Sequence, residues 1–152
     1  MDGTVTLALA DRMQWAQEQF GAADLGDARR TKRLVSTAAQ MAGSSSGSIP
    51  QQAGSEATAR GIYRMFAMEE VTHEAVCAPH FAQTRAAASQ LPLVLLIQDT
   101  MVLNYSEHHA CKGLGPIGKG GRLKGLHQQN VLAGDPDGRA PPRLMHQGHP
   151  KR

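Results

Sequence analysis

The residues best equipped for chemistry are arginines. Arg29, Arg30 and Arg33 crowd the first two turns of a segment, 28–42, whose apolar residues recur at helical spacing. Arg29 and Arg33 are i, i+4 neighbours, as are Arg33 and Thr37, and Gln40 lies further along the same side. Positive charge at a helix N-terminus opposes the helix dipole, and a phosphate placed there relieves the conflict. Guanidinium forks match phosphate geometry and can read guanine edges. A solvated cationic face is the alternative. A second pair, Arg60 and Arg64, is again i, i+4 with Tyr63 beside it. Glu56 stands four residues before Arg60, so a surface ion pair competes with a contact to a polyanion.

Two further groups of residues suggest metal chemistry. Asp99 closes the apolar run Leu93–Ile97, where a carboxylate is costly unless solvated, paired or bound to metal. Two-metal nucleases use acids placed in this way to hold Mg²⁺; an aspartate capping the turn at Thr100 is the alternative. His73, Cys77 and His80 fall at i, i+4, i+7, and His108, His109 and Cys111 form a second cluster. Together they offer ligands for tetrahedral zinc. Their spacing matches no common zinc motif, however, and Pro79 disrupts the shared face. Scattered surface histidines and a buried thiol are the competing account.

These residues are to be positioned by helices first and strands second. Asp11–Phe20 reads as a short helix with Trp15, Ala16 and Phe20 on one side. Asp27 caps the helix over 28–42, in which Leu34, Val35, Ala38, Ala39, Met41 and Ala42 form the stripe and Gly43 is the stop. Residues 44–50 are a Gly/Ser loop. Ser55 caps a third helix with its stripe at Ala59, Ile62, Tyr63 and Phe66, and Thr72 caps a fourth. Pro79 demands a kink or the first turn of a new segment, and Pro92 halts the helical pattern. Leu93–Ile97 then suits a strand buried on both faces, with Met101–Tyr105 pairing back as a second strand. Residues 112–125, with six glycines and four basic residues, read as a mobile loop. Gln129–Ala133 is a third strand, Asp135-Pro-Asp-Gly138 a turn, and Leu144-Met145 the start of a return strand interrupted by Pro142-Arg143. The fold class expected is α+β, with a helical domain over 1–92 and a strand-rich region over 93–152. Strands with no helix after them leave one sheet face bare, so the second region reads as the opening of an incomplete domain.

Composition sets wider bounds. The 152 residues suffice for one ordinary domain, or a small domain plus part of another. Net charge is +3 and the isoelectric point about 9.1, a mild bias toward polyanions. The basic residues concentrate at 29–33, at 60–64 and from Lys112 to Lys124. Two cysteines make no disulfide framework. No secretory leader pattern and no bilayer-length apolar run is present, so a soluble cytoplasmic protein is expected.

Three stretches carry a family resemblance: Ala23–Val35 (ADLGDARRTKRLV), Gly61–Phe66 (GIYRMF) and Leu96–Thr100 (LIQDT). Leu114–Gly118 and Asn130–Leu132 add to it. Over about residues 12 to 146 the chain resembles bacterial cut-and-paste transposases of the transposon-five type, members of the DDE superfamily with an RNase H-like core. The resemblance implies that Arg29, Arg30 and Arg33 contact transposon-end DNA. It also implies that Arg64, with Tyr63 and Arg60 beside it, contacts DNA near the cleaved end. Asp99 becomes the first of three acidic residues that hold Mg²⁺. The other two lie far downstream in the family, and the later carboxylates here, Glu107, Asp135 and Asp137, are not at the expected spacing. Gln129 also stands where such transposases often have histidine. The implied protein is therefore a truncated transposase that binds double-stranded DNA, pairs with itself or a full-length copy, holds Mg²⁺ weakly and does not cleave alone. Three other accounts compete: a zinc-stabilised module, an active nuclease using Asp99 with Glu107 or Asp135, and a helical interaction module acting as a transposition inhibitor.

Overall fold

In the computed structural model, residues 9–44, 46–138 and 140–149 are described. By contacts the chain forms two compact units that divide between His80 and Phe81.

The first unit is helical: α1 (Leu9–Phe20), α2 (Ala28–Ala42), α3 (Ile49–Ala53), α4 (Glu56–Phe66) and the first half of α5 (His73–Ala88). The turn before α2 explains the Leu-Gly-Asp motif. Leu25 is fully buried, packing with Ala23, Leu34, Met65 and Val71. Gly26 takes φ +72°, a left-handed conformation that side chains resist, and its N–H donates to Asp24 Oδ1 at 3.0 Å. Asp27 then caps α2 by accepting from the Arg29 N–H at 2.8 Å. The motif is thus a buried plug, a reversal and a cap in consecutive positions. Two smaller clusters complete the interior: Ala16, Val35 and Ala39 between α1 and α2, and Ala53, Ala59 and Ile62 between α3 and α4. Their small side chains let the helices approach closely.

Several expectations need correction here. Residues 44–50 are not wholly loop, because α3 begins at Ile49 with Pro50 in its first turn. Gln51 reaches back to accept from the Ser48 N–H at 2.7 Å, the reciprocal half of a capping box. Trp15 is exposed, stacked edge-on against Phe20 at 5.9 Å. In α4 the buried face is Ala59, Ile62 and Met65, while Tyr63 and Phe66 are exposed. Pro79 does not begin a new segment, since it lies inside α5, which runs from His73 to Ala88. Thr72 does cap this helix, its Oγ1 accepting from the Ala75 N–H at 3.1 Å.

The second unit holds the end of α5 and a four-stranded antiparallel sheet of β1 (Leu95–Asn104), β2 (Gly115–Ile117), β3 (Leu123–Gly134) and β4 (Arg143–Gly148). β3 is central. It pairs with β1 from Leu95↔Gly134 to Asn104↔Gly125. Its other edge takes β2 near its start and β4 near its end. The register slips between Val131 and Leu132, opposite His146 and Leu144, a bulge that leaves Met145 without a partner. Pro142 stands just ahead of β4, where its missing N–H costs the ladder nothing.

The strand expectations also change. Met101–Tyr105 does not pair back on 93–97; most of both segments forms the single strand β1. The glycine-rich stretch 112–125 holds β2 and the start of β3. β1 is not buried on both faces, for Leu95, Leu96, Ile97, Met101 and Val102 are all exposed. It is an edge strand, and among the described residues no layer covers it. The mixed fold of helices followed by an antiparallel sheet agrees with the α+β class. The expected domain boundary near residue 92 and the contact division at 80/81 differ by the second half of α5, whose Phe81 ring lies 6.1 Å from that of His146.

Candidate nucleic-acid interface

The arginines of α2 and α4 share a groove. Its walls are Asp27, Arg29, Arg30 and Arg33 from the start of α2, and Gly61, Arg64, Met65 and Met68 from α4 and the residues after it. The α4 residues Gly61, Arg64 and Met65 fall at i, i+3 and i+4, one helical face, and Met68 follows the helix. The cleft is open, with a volume of about 460 Å³. Four guanidinium-bearing residues therefore converge from two helices that are separate in sequence.

They are not equivalent. Arg29 is 91% exposed and pairs with Asp27, Nη2 to Oδ2 at 2.8 Å. That pairing, with the backbone N–H of Arg29, holds the Asp27 carboxyl down at about 2. The conflict between cations and helix dipole at the α2 N-terminus is thus already relieved within the chain. An exposed pair of this kind is weak and open to exchange with a phosphate. Arg30 is anchored: its Nη1 donates to Glu70 Oε1 at 3.0 Å and to the Leu25 carbonyl at 2.8 Å, with a quarter of its side chain exposed. The Glu70 carboxyl is lowered by a backbone N–H first and by Arg30 next. Arg33 and Arg64 are exposed, and no carboxylate pairs with either among the described residues.

Arg60 lies elsewhere. It pairs with Glu56 through Nη2 and Oε1 at 2.6 Å, the i, i+4 surface contact that its spacing allows. With Tyr63, half exposed, it lines a separate hollow beside Pro50, Gln51, Gly54 and Ser55. Of the six residues expected to meet DNA, the groove joins Arg29, Arg30, Arg33 and Arg64, and it leaves Arg60 and Tyr63 outside. Gly61 is a groove residue that the spacing of charges does not reveal. The signal present was its place one turn before Arg64 on the same helical face.

Asp99 sits in the middle of β1, opposite Asn130, and is exposed. Among the described residues no three His, Cys, Asp or Glu side chains come together as a metal site. The residues present thus do not by themselves make a Mg²⁺ centre. The zinc account gains no support either. Cys77 Sγ lies 3.7 Å from His73 Nε2, but His80 Nδ1 is engaged with Gln19 Oε1 at 2.6 Å. Burial pushes the Cys77 thiol up, reinforced by Glu74, which disfavours the thiolate a metal needs. His108 packs its ring against Tyr105 at 5.7 Å. Among the described residues no helix is long and apolar enough to cross a membrane.

Residues 12–71 match the family model described as "Transposase DNA-binding". The match runs from within α1 through α4 and includes every residue lining the arginine groove. It supports a transposase DNA-binding domain over this part of the chain, with DNA as the partner.

Proposed function

We propose that this chain is the DNA-binding front of a transposase of the transposon-five type, gripping duplex DNA at transposon ends through the groove between α2 and α4. The observation that carries the reading is the convergence of Arg29, Arg30, Arg33 and Arg64 on one open cleft within the matched residues 12–71. A duplex presents phosphates at regular spacing, and cations from two neighbouring helices can meet the backbone while fixing the orientation of the protein. Arg33 and Arg64 bring uncompensated charge. Arg29 supplies charge by exchanging Asp27 for phosphate, and Arg30 holds the α2 N-terminus to Glu70. Arg60 and Tyr63 extend the contact along the outer face of α4.

In this reading the sheet is the opening of an RNase H-like catalytic region, and Asp99 is the first of its metal-binding acids. Asp99 would contribute one ligand to Mg²⁺, and the ion would supply Lewis-acid activation of water for cleavage of DNA ends. Among the described residues no further acids gather with Asp99, so in this reading these residues bind ends without cutting them. A nicking assay with Mg²⁺ checks that point: nicking by the wild type that is lost in Asp99→Ala overturns it.

The central test is the salt dependence of binding to duplex DNA. Each phosphate neutralised contributes a slope of about −0.9 to log affinity against log salt. Affinity should fall steeply between low and moderate salt. Affinity that stays flat over that range removes the arginine groove as the interface.

A further inference from the structure

Resting on that reading of the groove, we propose that Gly61 is a positioning residue for the phosphate contact: its missing side chain makes the seat in which the Arg33 guanidinium lies, one helical turn from Arg64. A Cβ built on Gly61 would overlap Arg33 Nη1 and come within 2.9 Å of Cζ, so any side chain there displaces the guanidinium. Gly61 and Arg64 are i, i+3 on the groove face of α4. Arg33 from α2 and Arg64 from α4 therefore line the same groove, with the Arg33 guanidinium seated over Gly61. No carboxylate pairs with either among the described residues, and Asp27, which lines the same groove, is held by Arg29. Like charges facing one cleft without paired carboxylates repel, and a phosphodiester placed in the cleft offsets that repulsion.

Glycine has a cost here that nothing else in α4 explains. Mid-helix it is among the least favourable residues, and alanine is the best. Gly61 is φ-negative helical backbone, so no turn or left-handed conformation requires it. What the position demands is space above the backbone, and Arg33 occupies that space.

The experiment uses the full chain and a short random-sequence duplex, because a phosphate contact is independent of sequence. Gly61→Ala removes no charge and strengthens the helix, so its melting temperature should hold or rise. Its binding should nevertheless weaken roughly tenfold, with the salt slope reduced by about one, as for Arg33→Gln. If Gly61 acts through Arg33, adding Gly61→Ala to Arg33→Gln changes binding no further. Weakened binding by Arg33→Gln with wild-type binding by Gly61→Ala overturns the positioning role and leaves the groove standing. An equal loss from Gly61→Ala in both backgrounds also overturns it. Flat salt dependence with no effect of Arg33→Gln or Arg64→Gln overturns the groove reading itself.

Discussion

The helical unit and the sheet unit use apolar residues in opposite ways. The three buried clusters found among the described residues all lie in the helical unit, built from small side chains around Leu25, Leu34, Ile62 and Met65. The run leading into β1 has the stronger apolar sequence, yet Leu93, Leu95, Leu96 and Ile97 are all exposed, Leu96 at 59%. Apolar character sets what a segment gains from burial. It does not supply the surface that buries it. A helix in a bundle finds its partners nearby in sequence, as α2 finds α1, α3 and α4. A strand meets its covering layer only through the topology of the whole domain.

The contrast can be broken most directly by large-to-small substitution. Leu25→Ala should cost about 2–5 kcal/mol, because Leu25 is fully enclosed and the cavity cannot collapse completely. Its effect is read from denaturant midpoints. Leu96→Thr on the exposed strand should change stability by less than about 0.5 kcal/mol. A large loss at Leu96, comparable with that at Leu25, means that β1 is covered in solution and the contrast is false.

Acid provides a subtler probe of the helical unit. Asp27 has its carboxyl lowered from 3.8 to about 2, first by the Arg29 side chain and then by its N–H. A depressed carboxylate contributes stability that is present above the unfolded value and lost as pH falls toward the folded one. The loss should therefore fall between pH 3.8 and about 2. Asp27→Asn keeps a capping side chain but has no charge to titrate, so the wild type's acid slope in that window should flatten in the variant. An unchanged slope assigns the acid sensitivity to other carboxylates. The change is expected to be small, because the group is open to solvent.

Much of the interface is legible in the order of residues alone. Asp27 as cap, the bounds of α2, the cap at Ser55 and the i, i+4 arginines follow from local rules, because helix capping and side-chain spacing act within four residues. The Arg60–Glu56 pair is visible for the same reason. Other features are not. The short α3 hides behind a Gly/Ser stretch, although its Ser48 and Gln51 carry the capping-box pattern. The new segment allowed for at Pro79 does not begin there, since a proline rule weighs only the local loss of a bond and a clash.

By itself, then, the sequence determined where α2, α4 and α5 begin, which residues are cationic, and that strands follow the helices. Each of these depends on interactions between residues a few positions apart. Only the tertiary structure decided which cations share a groove, which of them already hold a carboxylate, and that Gly61 makes room for Arg33. It also decided that β1 lies at an edge with its apolar residues bare. Those outcomes depend on residues far apart in the chain meeting in space, and no spacing rule carries that information.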